Sequence, residues 1–113
     1  MTISQITTHV LDATVGRPAE GVPVELAVRE ASGWVLVGTG ATDADGRATG
    51  LGPASVAPGE YRLRFDTGAF FAGRGAETFY PEVVVHFEVA EAGRHVHVPL
   101  LLSPFAYSTY RGS

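Results

Sequence analysis

The chain has 113 residues, which fits one domain spanning residues 1–113, and its 45% hydrophobic and 18% charged residues are typical of a folded protein. Twelve acidic against eight basic residues give a net charge of −4, so we expect neither nucleic acid nor an anionic membrane surface as a partner. All eight basic residues are Arg and Cys is absent, which excludes lysine or cysteine nucleophiles, disulfides and thiolate metal sites.

The chain start, MTISQ, shows neither the basic segment nor the apolar segment of a secretory signal. No apolar run in the sequence approaches the roughly 20 residues that a membrane-spanning helix requires. We therefore expect a cytoplasmic protein without membrane contact.

Short segments of alternating apolar and polar residues follow, separated by turn residues rich in Gly, Pro and Asp. Such alternation is typical of strands with one buried and one solvated face, and the clearest example is YRLRFD at 61–66. The predicted strands are 6–11, 22–28, 34–42, 61–66, 83–89, 96–102 and 106–111, and the only segment compatible with a short helix is 67–74. This spacing predicts an all-β protein, a β-sandwich.

Pro99 interrupts the strong strand pattern at 96–102, because proline has no N–H to donate to a neighbouring strand. The strand is therefore either locally at the edge of its sheet or bulged at this position. The pattern alone does not choose between these two structures.

Histidines are the natural acid–base or metal-binding candidates in a chain without Lys or Cys, and there are four: His9, His86, His95 and His97. His95 and His97 are two apart on a predicted strand, so they project from one face, where they could chelate zinc with His9 as a third ligand. The alternative is that they are ordinary solvated residues of a polar strand face.

Arg47 closes the turn sequence DADGR at 43–47. The D-x-D-G part is shared with calcium-binding loops, but the glutamate that such loops require is missing, so we reject calcium. Arg47 is then either an exposed turn residue or a planar clamp for an anion or a carbonyl. The end of the chain, YSTYRGS at 107–113, is either frayed or a strand that carries its tail into a pocket.

Six stretches together form a specific pattern: THVLD at 8–12, GRPA at 16–19, TDADGR at 42–47, FYPE at 79–82, HVPLLLSP at 97–104 and YRGS at 110–113. They make the chain resemble the transthyretin-like 5-hydroxyisourate hydrolases over nearly its whole length. The terminal YRGS matters most, because the hormone-carrying transthyretins share the fold and differ at that end.

The resemblance implies a transthyretin-like β-sandwich of about eight strands with one short helix, assembled as a homotetramer, a dimer of dimers. It implies active sites at the dimer–dimer interface, each lined by two subunits. The implied reaction opens the ring of 5-hydroxyisourate, the unstable product of urate oxidation, to give 2-oxo-4-hydroxy-4-carboxy-5-ureidoimidazoline. We expect no cofactor and no metal.

Carried over by position, the resemblance assigns the site to His9, Arg47, His97 and the tail Tyr110, Arg111, Gly112 and Ser113. Hydrolysis of a cyclic amide needs a base near neutral pH, and histidine titrates in that range. We expect His9 and His97 to hold and deprotonate the water, and Arg47 to bind the substrate carbonyls and the developing oxyanion. The sequence does not decide which histidine is the base.

The tail is expected to take part in both binding and catalysis. Tyr110, Arg111 and Gly112 would bind the substrate, while Ser113 would orient the water or a histidine through its hydroxyl or its carboxylate. Two other functions stay open: a zinc hydrolase, and a carrier whose channel binds an aromatic ligand without catalysis. The tail speaks against the carrier, which has no need for a second arginine and a hydroxyl at that end.

Overall fold

The computed structural model describes residues 3–113; Met1 and Thr2, part of the segment searched for a secretory signal, lie outside the described residues. Among the described residues no helix is long and apolar enough to span a membrane. The elements are β1 (Ile6–Asp12), β2 (Arg17–Pro18), β3 (Pro23–Glu30), β4 (Gly33–Ala41), β5 (Arg47–Ala48), β6 (Gly59–Phe65), α1 (Thr67–Ala72), β7 (Val83–Val89), β8 (Val96–Ser103) and β9 (Ala106–Thr109).

The strands form two sheets. One has the order β2-β1-β8-β9, with β5 pairing with β1 alongside β2, and the other has the order β4-β3-β6-β7. Every pair is antiparallel except β1 and β8, which run parallel with Ile6 opposite Val96. The predicted all-β sandwich is confirmed. The strands β2 and β5 have only two residues each, too few for alternation to reveal them.

The core lies between the two sheets and consists of the side chains that alternation assigns to buried faces. Phe65 of β6 and Ile6 and Val10 of β1 are fully buried, and burying a side chain of this kind contributes about 1.5–3 kcal/mol. Because successive side chains of a strand point to opposite faces, Thr7 and His9 of β1 lie on the outer face of the first sheet.

The helix α1 is shorter than the segment 67–74 that the sequence allowed. It begins after Asp66, whose carboxylate accepts a hydrogen bond from the backbone N–H of Ala69 and so caps the first turn. Phe70 and Phe71 are buried and anchor the helix to the core.

Pro99 lies in an interior strand that pairs with β1 without a register shift, so the bulge alternative is wrong. Its carbonyl accepts a hydrogen bond from Thr109 Oγ1 at 2.7 Å, which shows that its backbone faces β9. β9 ends at Thr109, and pairing with β8 resumes only at Gly112. The missing N–H of Pro99 therefore falls where β8 has no paired strand on that side, so the strand is locally at an edge. The strand predicted over 106–111 ends two residues earlier than expected, at Thr109.

Candidate active site

Three adjacent strands, β5, β1 and β8, carry Arg47, His9 and His97. His9 lies opposite Arg47 on one side and opposite Pro99 on the other, while His97 lies opposite Thr7. The residue that follows each of the three along the chain is buried in the core, so Arg47, His9 and His97 all belong to the outer face of the sheet. The structure thus brings together three residues that are far apart in sequence.

The turn before β5 holds Arg47 in place. The carboxylate of Asp43 accepts hydrogen bonds from the backbone N–H groups of Asp45 at 2.9 Å and Arg47 at 3.0 Å. Gly46 has φ +76°, and a Cβ there would come within 2.4 Å of the Val10 carbonyl oxygen. The D-x-D-G sequence therefore forms the turn that places Arg47 beside β1. The carboxylate of Asp43 serves this turn by accepting hydrogen bonds from backbone N–H groups.

His97 is half-buried beside several groups that can carry positive charge. The pKa of His97 is lowered below the ordinary value of 6.5. Burial is the largest cause, and the positive charges of the nearby His95, Arg47 and His9 act in the same direction. Its Nδ1 is 2.8 Å from Thr7 Oγ1, which leaves Nε2 as the nitrogen available to a water molecule. The imidazole is therefore neutral and able to accept a proton at neutral pH.

The C-terminal tail lies against His97. Gly112 donates its backbone N–H to the His97 carbonyl at 2.9 Å. A Cβ at Gly112 would lie 2.6 Å from His97 Cδ2 and 3.1 Å from Pro99 Cγ, so only glycine fits between the tail and the ring. Ser113, exposed, follows directly after this contact.

The other two tail residues lie next to one cavity, which both of them line. Tyr110 follows the last paired residue of β9 and is 59% exposed. Arg111 lines a cavity of about 370 Å³ together with Val96, Val98 and His97. This cavity lies between β7 and the end of β9 and does not include His9 or Arg47. In a single chain Arg47 is exposed and His9 is half-buried, so the His9–Arg47 face is open.

The zinc arrangement proposed for His9, His95 and His97 has no counterpart in the geometry. The rings of His95 and His97 have centroids 6.0 Å apart and are bridged by the Thr7 hydroxyl, at 2.7 Å from His95 Nε2. Over residues 3–113, no three His, Cys, Asp or Glu side chains are grouped so that they could hold a metal ion. His95 and His97 are instead hydrogen-bonded to the Thr7 hydroxyl.

Sequence reasoning missed Thr7, although its side chain contacts two of the candidate histidines. Threonine is an ordinary strand residue, and nothing in TTHVLD marks Thr7 as different from Thr8. The structure separates them, because Thr8 points its hydroxyl to the Val98 carbonyl while Thr7 lies between two rings. Only the parallel register of β1 and β8 could have identified it.

Comparison with known proteins agrees with this fold. The family model described as "HIUase/Transthyretin family" matches residues 6–112. The chain is 47% identical over 109 residues to the 5-hydroxyisourate hydrolase of Salmonella dublin, covering 96% of this chain and 80% of that protein. The chain therefore belongs to the HIUase/Transthyretin family.

Two solved structures show how closely the fold is shared. The 5-hydroxyisourate hydrolase of Klebsiella pneumoniae is similar with a TM-score of 0.86 and 36% identity, over 100% of both chains. Transthyretin from Sparus aurata has the same TM-score, 0.86, at 33% identity over 96% of both chains. Because the backbone of this chain is equally similar to both structures, the fold alone does not distinguish a hydrolase from a carrier. The side chains of the site have to make that distinction.

Proposed function

We propose that this protein hydrolyses 5-hydroxyisourate, opening the ring to give 2-oxo-4-hydroxy-4-carboxy-5-ureidoimidazoline. The observation that carries the proposal is the environment of His97, a neutral imidazole flanked by Arg47 and His9 and overlaid by the tail. The names of the hydrolases to which the chain is similar support the same reaction.

His97 is the general base of the proposed mechanism. Its Nε2 accepts a proton from the water as the water oxygen forms a bond to the substrate carbonyl carbon, and the carbonyl electron pair moves onto oxygen. Arg47 is a permanent cation whose paired donors bind the resulting oxyanion. His9, opposite Arg47, holds the water and the substrate. Cleavage of the C–N bond follows when Nε2 returns its proton to the departing ring nitrogen.

The tail completes the site. Tyr110 contacts the substrate ring, Gly112 allows the chain to approach His97, and Arg111 supplies a second cation at the neighbouring cavity. Ser113 brings a hydroxyl and the terminal carboxylate within one residue of the His97 contact, where either group would orient the water. The Gly112–His97 hydrogen bond supports this arrangement.

The protein works as a homotetramer of single-domain subunits, with each site lined by two subunits. Two features support assembly: the open His9–Arg47 face, and an exposed aromatic group in which Tyr80 stacks edge-on against Phe79 and Tyr107, each at 5.0 Å. Phe79 is 71% exposed, and such surfaces commonly mark contacts between chains. Sedimentation should give a tetramer, and activity should fall on dilution; a fully active monomer contradicts this assembly.

The proposed activity is tested by adding the protein to urate and urate oxidase and following the absorbance of 5-hydroxyisourate. Faster decay than in the uncatalysed control supports hydrolysis, and Arg29→Lys, a surface variant on the other sheet, should retain it. Binding without faster decay would instead support a carrier. Loss of turnover with a chelator, together with stoichiometric zinc, would support the zinc hydrolase. We place the protein in the cytoplasm, which its detection in the cytosolic fraction of cells would test.

A further inference from the structure

The buried hydroxyl of Thr7 bridges two histidines. Thr7 Oγ1 is 2.8 Å from His97 Nδ1 and 2.7 Å from His95 Nε2, and the residue is only 2% exposed. His97 is half-buried beside Arg47 and His9, whereas His95 is exposed. A continuous chain of hydrogen bonds therefore runs from the candidate base to the protein surface.

The number of protons in this chain restricts the tautomers of both rings. A hydroxyl has one proton to donate, so if Thr7 donates to His95 Nε2, it must accept the proton that His97 carries on Nδ1. In that arrangement His97 Nε2 has a free lone pair and can act as a base. In the reverse arrangement His97 carries its proton on Nε2 and cannot accept one there. The direction of the Thr7 hydroxyl thus decides whether His97 can act as the base.

We propose that Thr7 is a positioning residue that holds His97 as the Nδ1–H tautomer and connects it, through His95, to solvent as a proton path. As water gives a proton to His97 Nε2, His97 Nδ1 gives its proton to Thr7 Oγ1, and the Thr7 proton passes to His95 Nε2. The positive charge then resides on His95. The transfer reverses when His97 Nε2 delivers its proton to the ring nitrogen of the leaving group, so no proton is gained or lost. This inference rests on the proposed hydrolase function.

The charges around His97 explain why such a path is useful. Arg47, His9 and His95 face the imidazole, and Arg111 lines the adjoining cavity. A cation confined on half-buried His97 is repelled by the permanent charge of Arg47, whereas a cation on exposed His95 is hydrated and farther from it. Moving the charge to His95 lowers the cost of forming it.

The position of His95 is set by a buried glutamine. Gln5 donates from Nε2 to the carbonyls of Glu91 and Arg94, both at 2.8 Å. Its Oε1 accepts from the backbone N–H groups of Gly93 at 2.9 Å and Val56 at 2.7 Å. Three of these four hydrogen bonds bind the loop at 91–94 that leads into His95, and the fourth binds the backbone of Val56. The loop therefore presents His95 to Thr7 in a defined geometry.

Three single variants of the protein test the path. Thr7→Val keeps the shape and removes the hydroxyl, whereas Thr7→Ser keeps the hydroxyl. Thr8→Val is the matched control, because it removes the neighbouring buried hydroxyl, which binds only the Val98 carbonyl. We expect Thr7→Val to lower kcat at least roughly tenfold and at most by the 10²–10⁴-fold that general base catalysis contributes, with KM little changed. Thr7→Ser should restore most of kcat, and Thr8→Val should affect stability only.

A second measurement does not depend on turnover. Nitrogen NMR of the His97 ring should show the Nδ1–H tautomer in the wild type and a mixture of tautomers in Thr7→Val. His95→Ala should lower kcat, and added imidazole should restore part of it, because the missing ring is at the surface. An Nε2–H tautomer in the wild type, or equal kcat and pH–rate profiles for Thr7→Val and Thr8→Val, would overturn the proposal. Absence of hydrolysis by the wild type would refute the proposed function, while the tautomer result would still test the Thr7 geometry.

Discussion

Gly112 and His97 are joined by a backbone hydrogen bond of 2.9 Å, and the tail passes so close to the imidazole that a Cβ on Gly112 would lie 2.6 Å from His97 Cδ2. This contact closes the ladder again after the gap opposite Pro99. It places the last residues of the chain over the candidate base, although they contribute no side chain to the buried core.

Gly112→Ala should impair the site without unfolding the protein. The added methyl group must displace either the tail or the His97 ring, and a misplacement of about 1 Å can cost about 10²-fold in rate. Gly50→Ala is the control, because a Cβ at Gly50 meets nothing within 4 Å. The measurement is kcat for both variants with melting curves alongside. Equal turnover in the two variants would show that the close contact between Gly112 and the His97 ring is not needed for catalysis.

Arg47→Lys should be nearly as damaging as Arg47→Ala. An ammonium group cannot reproduce the two parallel donors of a guanidinium, and loss of such donors to an oxyanion typically costs on the order of 10²–10³ in rate. The turn should survive both changes, because Asp43 binds the backbone N–H of residue 47 and not its side chain. Steady-state kinetics decide the matter: wild-type turnover of Arg47→Lys would make Arg47 an ordinary turn residue.

Deletion of residues 110–113 should abolish hydrolysis and leave the fold intact. β9 ends at Thr109, whose hydroxyl continues to bind the Pro99 carbonyl, so we expect the free energy of unfolding to change by only about 0.5 kcal/mol. Turnover should fall by several orders of magnitude while sedimentation still shows the assembled protein. Ser113→Ala should be milder, because it removes one hydroxyl and leaves Tyr110, Arg111 and Gly112 in place.

Two other outcomes of the deletion have different meanings. Dissociation of the assembly together with loss of activity would make the tail an interface element. Unchanged turnover in the shortened protein would refute the site assignment.

Acidification should destabilise the protein through His97. Its folded-state pKa lies below the unfolded value of 6.5, so between these two values the unfolded state binds more protons than the folded state. The free energy of unfolding should therefore rise as pH rises through this window. The stability that comes from keeping His97 neutral is lost as pH falls through it. His97→Gln should show a smaller difference between about pH 5 and about pH 8 than the wild type in urea titrations. An unchanged difference would mean that His97 is not held neutral by the fold.

Much of the fold and several site candidates could be read from the chain itself. Alternation identified the longer strands because each has one buried face, as in YRLRFD at 61–66, where Tyr61, Leu63 and Phe65 are all in the core. The six motif stretches identified the family, which the family model confirms. Short strands such as β2 and β5 escaped detection, since two residues show no period.

The sequence by itself determined which residues share a face of one strand and which residues carry acid–base or anion-binding groups, because those properties are local. Which strand lies beside which was decided only by the packing of the two sheets. The parallel pairing of β1 with β8 sets Thr7 against His97, and the turn at Asp43 brings Arg47 opposite His9. Such contacts join segments that are distant along the chain, and their register depends on which set of side chains the tertiary structure buries.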